Sequence, residues 1–131
     1  MCISYVGLNA KTEEPSWPIP SCQAVMDALH GATVFSGLDL KAGFHNIPLN
    51  PASVPVTAFI TQDGTFEYLR MTFGLKEAPS HLQRTVTAVL EVTKDGRVTV
   101  YLDDILVHGD NVADVWARTL AIIAALVDAG F

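Results

Sequence analysis

Apolar and polar positions change period several times along this chain, and each change marks an element. Over residues 21–30, Val25, Met26 and Leu29 share one helical face, with Ser21 as a cap and Gly31 as a stop. Residues 33–40 form a short, largely apolar run that predicts a buried strand. Residues 41–46 allow one helical turn, after which Pro48, Pro51 and Pro55 break the chain. Residues 56–61 and 65–71 read as strands, with Asp63-Gly64 as a hairpin signal between them. A helix is predicted over 79–92, striped by Leu82, Val86, Val89 and Leu90. Residues 97–102 and 105–108 read as strands that meet at Asp103-Asp104. The last helix spans 111–129, with Val112, Trp116, Leu120, Ile123 and Val127 along one side. At the start, residues 2–6 are a short strand candidate, and 11–20 a loop in which Pro15, Pro18 and Pro20 each remove an amide donor. Strands outnumber helices and fall in hairpin-like pairs, which predicts an α+β fold, an antiparallel sheet backed by helices.

Composition narrows this further. A chain of 131 residues, 50% of them hydrophobic, fits one folded domain and excludes disorder over most of its length. Residues 120–127 are the longest apolar run, well short of the ~18 residues a membrane helix needs, so no membrane association is expected. The start, MCISYVGLNA, has no positive segment followed by an apolar one, so no signal peptide is expected. Cys2 and Cys22 fit neither a disulfide framework nor a zinc motif, which favours a reducing, intracellular compartment. A strand starting almost at residue 2 and an end at a helix cap, Ala129-Gly130-Phe131, suggest a piece of a longer polypeptide. The formal net charge of −6 argues against a self-sufficient nucleic-acid binder, because phosphate contacts need Lys and Arg.

The segment VTVYLDDILV carries the sharpest chemical signal. Adjacent Asp103 and Asp104 sit in an apolar stretch, where mutual repulsion and burial both penalise ionisation. A multivalent cation would remove both costs, and Mg²⁺ prefers carboxylates, water and phosphate oxygens. A tight turn fits the pair too, since Asp favours turns, although the Gly or Asn that hairpins usually need is missing. Asp39 ends another predicted strand, as a helix cap for 40–46 or as a third ligand. Three carboxylates on two neighbouring strands would suit a pair of Mg²⁺ ions, the arrangement used for nucleotidyl transfer. No GxxxxGK[ST] or GxGxxG phosphate loop is present, which counts against an unrelated phosphotransferase.

FSGLDLKAGFHNI, TAFITQDGTFEYLRMTFGLKEAPSHLQR and VYLDDILVHG resemble three consecutive blocks of reverse transcriptases, in family order and spacing. The resemblance is to the polymerase of gypsy-like long-terminal-repeat retrotransposons and runs over nearly the whole chain. It implies a polymerase palm with a ferredoxin-like core: residues 33–51 and 73–131 as palm, residues 1–32 and 52–72 as finger-side elements. The thumb and ribonuclease H domain would lie outside this chain. The implied activity is templated deoxynucleotide addition to a primer 3′-hydroxyl, with two Mg²⁺ or Mn²⁺ ions, on an RNA or DNA template. The implied setting is a polyprotein acting in the cytoplasm, within a virus-like particle where the element is active.

Residue by residue, Asp39 matches the first metal-binding aspartate, and Asp103 and Asp104 match the pair of the YxDD hairpin. Phe44 matches an aromatic that crowds the sugar 2′-carbon and so favours deoxynucleotides; read without the resemblance it is a core aromatic. Leu40, Lys41, Ala42 and Gly43 complete that nucleotide-side block, in which Lys41 reads equally as a solvated lysine. Phe73 and Gly74 match the segment beneath nucleotide and template, with Ala78, Pro79 and Ser80 following. Tyr101 matches a position near the primer terminus. Gln83 belongs to the helix behind this block or forms a capping box with Ser80. His45, His81 and His108 have no metal-ligand spacing and read as surface or hydrogen-bonded residues.

The first segment departs from the family. Where the fingers strand reads like CVDYRxLNKxT, this chain has Ser4, Val6 and Ala10 in place of Asp, Arg and Lys, and keeps Leu8, Asn9 and Thr12. Those lost basic residues favour an alternative, a degenerate or co-opted fragment without activity; the intact Asp39, Asp103 and Asp104 oppose it.

Overall fold

A computed structural model describes residues 3–13, 17–93 and 95–131. Residues alternate inward and outward along β1 (Val34–Asp39), with Val34, Ser36 and Leu38 the more buried set. Two further strands, β4 (Val98–Tyr101) and β5 (Asp104–Gly109), form a hairpin. β1 pairs antiparallel with β5, so the sheet runs in the order β1-β5-β4. A second, two-stranded sheet joins β2 (Phe59–Thr61) to β3 (Gly64–Phe66).

Two helices cover one face of the larger sheet. α4 (Ala78–Val89) packs on β4 and α5 (Val112–Asp128) packs on β1 and β5. Leu82, Val86, Ile105, Val107 and Ile122 are completely buried between these layers. The Ser21 cap expected from the sequence forms, and Asn111 supplies a second, unexpected cap. Ser21 Oγ accepts from the Ala24 amide at 3.1 Å to start α2 (Cys22–Ala28), and Asn111 Oδ1 accepts from the Asp114 amide at 2.9 Å to start α5. α5 ends on Gly130 at φ +90°, and the Phe131 and Gly130 amides donate back to Leu126 and Val127 carbonyls, a Schellman ending. Among the described residues no helix is long and apolar enough to cross a membrane.

Three expectations are corrected. The strand expected at 2–6 is absent from residues 3–6, and Val6–Asn9 forms one helical turn, α1; Cys2, like Pro15 of the next loop, lies outside the described residues. Among the described residues, no strand pairs with this segment. Tyr5 anchors it instead, buried with its hydroxyl donating to the Thr57 carbonyl at 3.1 Å.

The strands expected at 56–61 and 65–71 shrink to β2 and β3. Pro51 and Pro55 each open a 3₁₀ turn, and the buried Thr57 hydroxyl accepts from the Tyr68 amide at 2.9 Å where a ladder bond would run. Thr61 pairs with Gly64, so the turn residues are Gln62 and Asp63, with Gly64 opening β3 at φ +136°.

The last correction concerns α5. Its expected inner stripe is its outer one: Val112, Trp116, Leu120, Ile123 and Val127 are exposed, Trp116 by 63%. Val115, Thr119, Ile122 and Leu126 face the sheet. α5 is apolar on both sides, so periodicity does not select a face; packing against β1 and β5 does.

Candidate active site

The β1–β5 register sets Asp39 directly opposite Asp104. Leu38 and Ile105, the preceding pair, face the helical layer, so Asp39 and Asp104 project from the open face of the sheet. A two-residue turn, Leu102-Asp103, joins Tyr101 to its partner Asp104. The Leu40 amide donates to the Asp103 carbonyl at 3.0 Å and carries the pairing one step past the end of the strands. Asp39, Asp103 and Asp104 therefore share one end of one sheet.

All three carboxylates are exposed, which corrects the expectation of a desolvated pair. The apolar run around them is real, but its side chains alternate away from the carboxylates into the core. Among the described residues, no three carboxylate, imidazole or thiol groups gather closely enough to hold an ion. The backbone brings the carboxylates together; convergence of their side chains is a further step.

The turn carries backbone strain. Leu102 has φ +57°, in the left-handed region that disfavours side chains with a Cβ. Gln83 reaches this turn from α4. Its Oε1 accepts from the Leu102 amide at 2.7 Å, and its Nε2 donates to the Val100 carbonyl at 2.9 Å. Gln83 thus makes no capping box with Ser80: α4 begins at Ala78, so the buried Ser80 lies inside its first turn, beside Pro79. A glutamine beside the apolar stripe of α4 was the signal available in the sequence.

The nucleotide-side residues divide between β1 and a neighbouring loop. Leu40 is buried and Lys41 exposed. Ala42 takes φ +54° and turns the chain into α3 (Gly43–Asn46). Gly43 is packed so closely that a Cβ there would meet Leu40 Cβ at 3.2 Å and Leu82 Cδ2 at 3.4 Å. Phe44 stands edge-on to Phe73, ring centres 5.2 Å apart, and Phe73 is half exposed. Gly74 follows at φ +87°, a conformation that glycine adopts without cost. The sequence reading missed the brace for this loop: Asn9 Nδ2 donates to the Gly74 carbonyl at 2.7 Å and Asn9 Oδ1 accepts from the Lys76 amide at 2.9 Å. Asn9 therefore carries out a structural task in α1 even though the strand expected there is a helix.

Tyr101, on the hairpin, is hydrogen-bonded to the exposed Cys22 sulfur at 3.9 Å, and this contact, through the hydrogen bond first and charge second, raises the phenol pKa above its ordinary value. His45 Nδ1 lies 2.9 Å from the Met71 carbonyl, a hydrogen-bonded residue as expected. His81 is partly buried on α4, and burial, then Arg84, lowers its pKa. His108 differs from expectation: it is buried in β5 and its Nε2 has no hydrogen-bond partner among the described residues. Burial, followed by nearby Arg97, lowers its pKa, with Asp110 acting the other way.

Comparison with known proteins fits this geometry. Residues 4–131 match the family model described as reverse transcriptase (RNA-dependent DNA polymerase). The chain belongs to the reverse transcriptase family. Among curated relatives, it is 36% identical over 126 residues to the retrovirus-related Pol polyprotein from transposon opus of Drosophila melanogaster, covering 96% of this chain and 13% of that polyprotein. It is 34% identical over 108 residues to the transposon Tf2-3 polyprotein of Schizosaccharomyces pombe, covering 82% of this chain and 8% of the relative. This reverse transcriptase segment thus spans a small part of the polyproteins it matches, and the gypsy-like resemblance agrees with them. Native prototype foamy virus protease-reverse transcriptase superimposes with a TM-score of 0.81 at 26% identity, over 97% of this chain and 17% of that one. The foamy viral enzyme in complex with RNA/DNA hybrid gives 0.83 at 22% identity, over the same shares. The fold is accordingly an α+β polymerase palm fragment.

Proposed function

We propose that this chain is the palm, with part of the fingers, of a retrotransposon reverse transcriptase, with residues 33–51 and 73–131 as palm and residues 1–32 and 52–72 on the finger side. The reaction is templated transfer of a deoxynucleotide to a primer 3′-hydroxyl, with pyrophosphate as leaving group. The observation that carries this reading is the register that sets Asp39 opposite Asp104, with Asp103 in the adjoining turn. Like charges directly opposite each other across a ladder are unfavourable unless something neutralises them. Hard carboxylate oxygens suit Mg²⁺ or Mn²⁺, so the donor chemistry fits two such ions, which Asp39, Asp103 and Asp104 would hold once side chains that the register brings to one sheet end converge. Bound there, the ions would activate the primer hydroxyl and neutralise charge on the triphosphate.

In this reading Leu40, Lys41, Ala42, Gly43, Phe44, Phe73 and Gly74 border the deoxynucleoside triphosphate. Phe44, held edge-on by Phe73, bounds the 2′ side of the sugar. Tyr101, Pro79 and Ser80 lie towards primer and template. A related enzyme in complex with RNA/DNA hybrid supports a nucleic-acid partner. The net charge of −6 leaves most phosphate binding to fingers, thumb and ribonuclease H parts of a larger polyprotein.

The test is primer extension by the polymerase that carries this segment, with an Asp103→Asn variant beside it. Extension by the parent and its loss in the variant are expected; equal extension by both refutes the reading. The second reading, a co-opted fragment without activity, is favoured by Val6 and Ala10 at positions that are basic in the family. It predicts no extension by the parent.

A further inference from the structure

We infer that Gln83 is a positioning residue for the carboxylate hairpin, whose amide holds Leu102 in the left-handed region and so sets where Asp103 and Asp104 project. The inference rests on the reading of Asp103 and Asp104 as the metal-binding pair.

The argument starts from the turn. A two-residue hairpin loop needs positive φ, which Asn-Gly or Gly-X sequences adopt unaided. This loop is Leu102-Asp103, and the positive φ falls on leucine, where Cβ crowds the next carbonyl oxygen. Something outside the turn must hold it there. The Leu102 amide, as the first loop residue, has no partner in the β4–β5 ladder, and Gln83 Oε1 supplies one at 2.7 Å. The same side chain donates from Nε2 to the Val100 carbonyl at 2.9 Å and to Thr87 Oγ1 at 3.4 Å. Both amide hydrogens and the amide oxygen are thus in use, which fixes the amide's orientation.

The clamp grips the backbone on both sides of Tyr101. Gln83 is itself 3% exposed, and its α4 neighbours Leu82 and Val86 are completely buried. The hairpin is therefore referenced to the core rather than left to its own turn chemistry. Asp103 and Asp104 come immediately after the strained φ, so relaxation of Leu102 would swing both carboxylates relative to Asp39. Removing partners that orient metal-binding groups costs roughly 10–100-fold in metal affinity or activity.

The experiment measures single-nucleotide extension against Mg²⁺ concentration in the full polymerase that carries this segment. The proteins are the parent, Gln83→Met, Leu102→Gly, the double variant and Asp103→Asn. Gln83→Met keeps length and loses all three hydrogen bonds. It is expected to raise the Mg²⁺ concentration at half-maximal rate about 10-fold or more while primer–template affinity stays at the parental value. Leu102→Gly is expected to recover much of that loss in the double variant, because glycine adopts the turn without a clamp. A merely structural Gln83 would lower the yield of folded enzyme and leave the Mg²⁺ requirement of the remainder unmoved. Hydrogen exchange on the unmutated protein gives a second measurement that needs no variant: the Leu102 amide is expected to be as protected as ladder amides of β5. An unchanged Mg²⁺ requirement in Gln83→Met, or a Leu102 amide that exchanges at open-turn rates, overturns the inference while the metal-site reading stands. Full extension by Asp103→Asn overturns both.

Discussion

Replacing Asp104 by Asn tests whether the sheet end is built for a cation. The substitution keeps shape and hydrogen-bonding capacity and removes one of two charges that face each other across β1 and β5. Directly paired residues have Cβ atoms about 5 Å apart. For carboxylates about 6 Å apart in a water-like surround, Coulomb's law gives a repulsion of about 0.7 kcal/mol. Screening over a Debye length of about 8 Å at physiological salt reduces this to about 0.3 kcal/mol. The water-like value applies because Asp39 and Asp104 are both exposed. Asp103 adds little, since it adjoins Asp104 in the unfolded chain as well. Without divalent ions, Asp104→Asn should therefore stabilise the chain by about 0.5 kcal/mol at low salt, and by progressively less towards 0.5 M salt, a range set by screening. With Mg²⁺ at about ten times its dissociation constant the parent gains about 1.4 kcal/mol and the variant less, so the order of stabilities reverses. Urea unfolding of both chains, at two salt concentrations with and without Mg²⁺, gives the four differences in stability between parent and variant. Asp63→Asn, in the turn of the other hairpin, serves as the control and should show no Mg²⁺-dependent reversal. A metal-free Asp104→Asn chain that is less stable than the parent, with no Mg²⁺ dependence in either, would refute the reasoning and make the pair a structural turn.

Three further outcomes are expected. In the active polymerase, Phe44→Ala should raise ribonucleotide use relative to deoxynucleotide use by roughly 10-fold, the size of one well-placed steric contact; an unchanged ratio in competition assays would return Phe44 to a packing role against Phe73. His108, with its pKa lowered by burial and Arg97, takes up a proton more readily when unfolded, so stability should fall as pH drops below about 6.5 towards the lower folded value. His108→Phe should flatten that slope between pH 7.5 and 5.5 in denaturant titrations, and parallel slopes would exclude His108 as its source. Leu82→Ala removes a completely buried side chain that packs against Gly43 and should cost about 2–5 kcal/mol in urea unfolding; a loss below about 1 kcal/mol would mean that the layer between α4 and the sheet repacks.

Short-range signals alone determined the helices at α2, α4 and α5 and the strands β1, β4 and β5. Ser21, Asn111 and Gly130 act on amides and carbonyls within a few residues, so their effect can be read locally. The order and spacing of the three blocks likewise placed Asp39, Asp103 and Asp104 in one family's pattern before any register was known. Tertiary structure decided what depends on distant partners. Val6–Asn9 is a helix because Tyr5 and Asn9 find Thr57 and Gly74, the latter 65 residues away, and among the described residues no strand pairs with them. α5 buries the Val115–Ile122 side because the sheet lies there, although its other side is equally apolar. The exposure of Asp39 and Asp104, their pairing, and the clamp of Gln83 on Leu102 follow from strand register and from the height of α4 over the sheet. Periodicity constrains which face a residue takes, but not which residue of another element meets it there, because that choice is made by packing across the whole core.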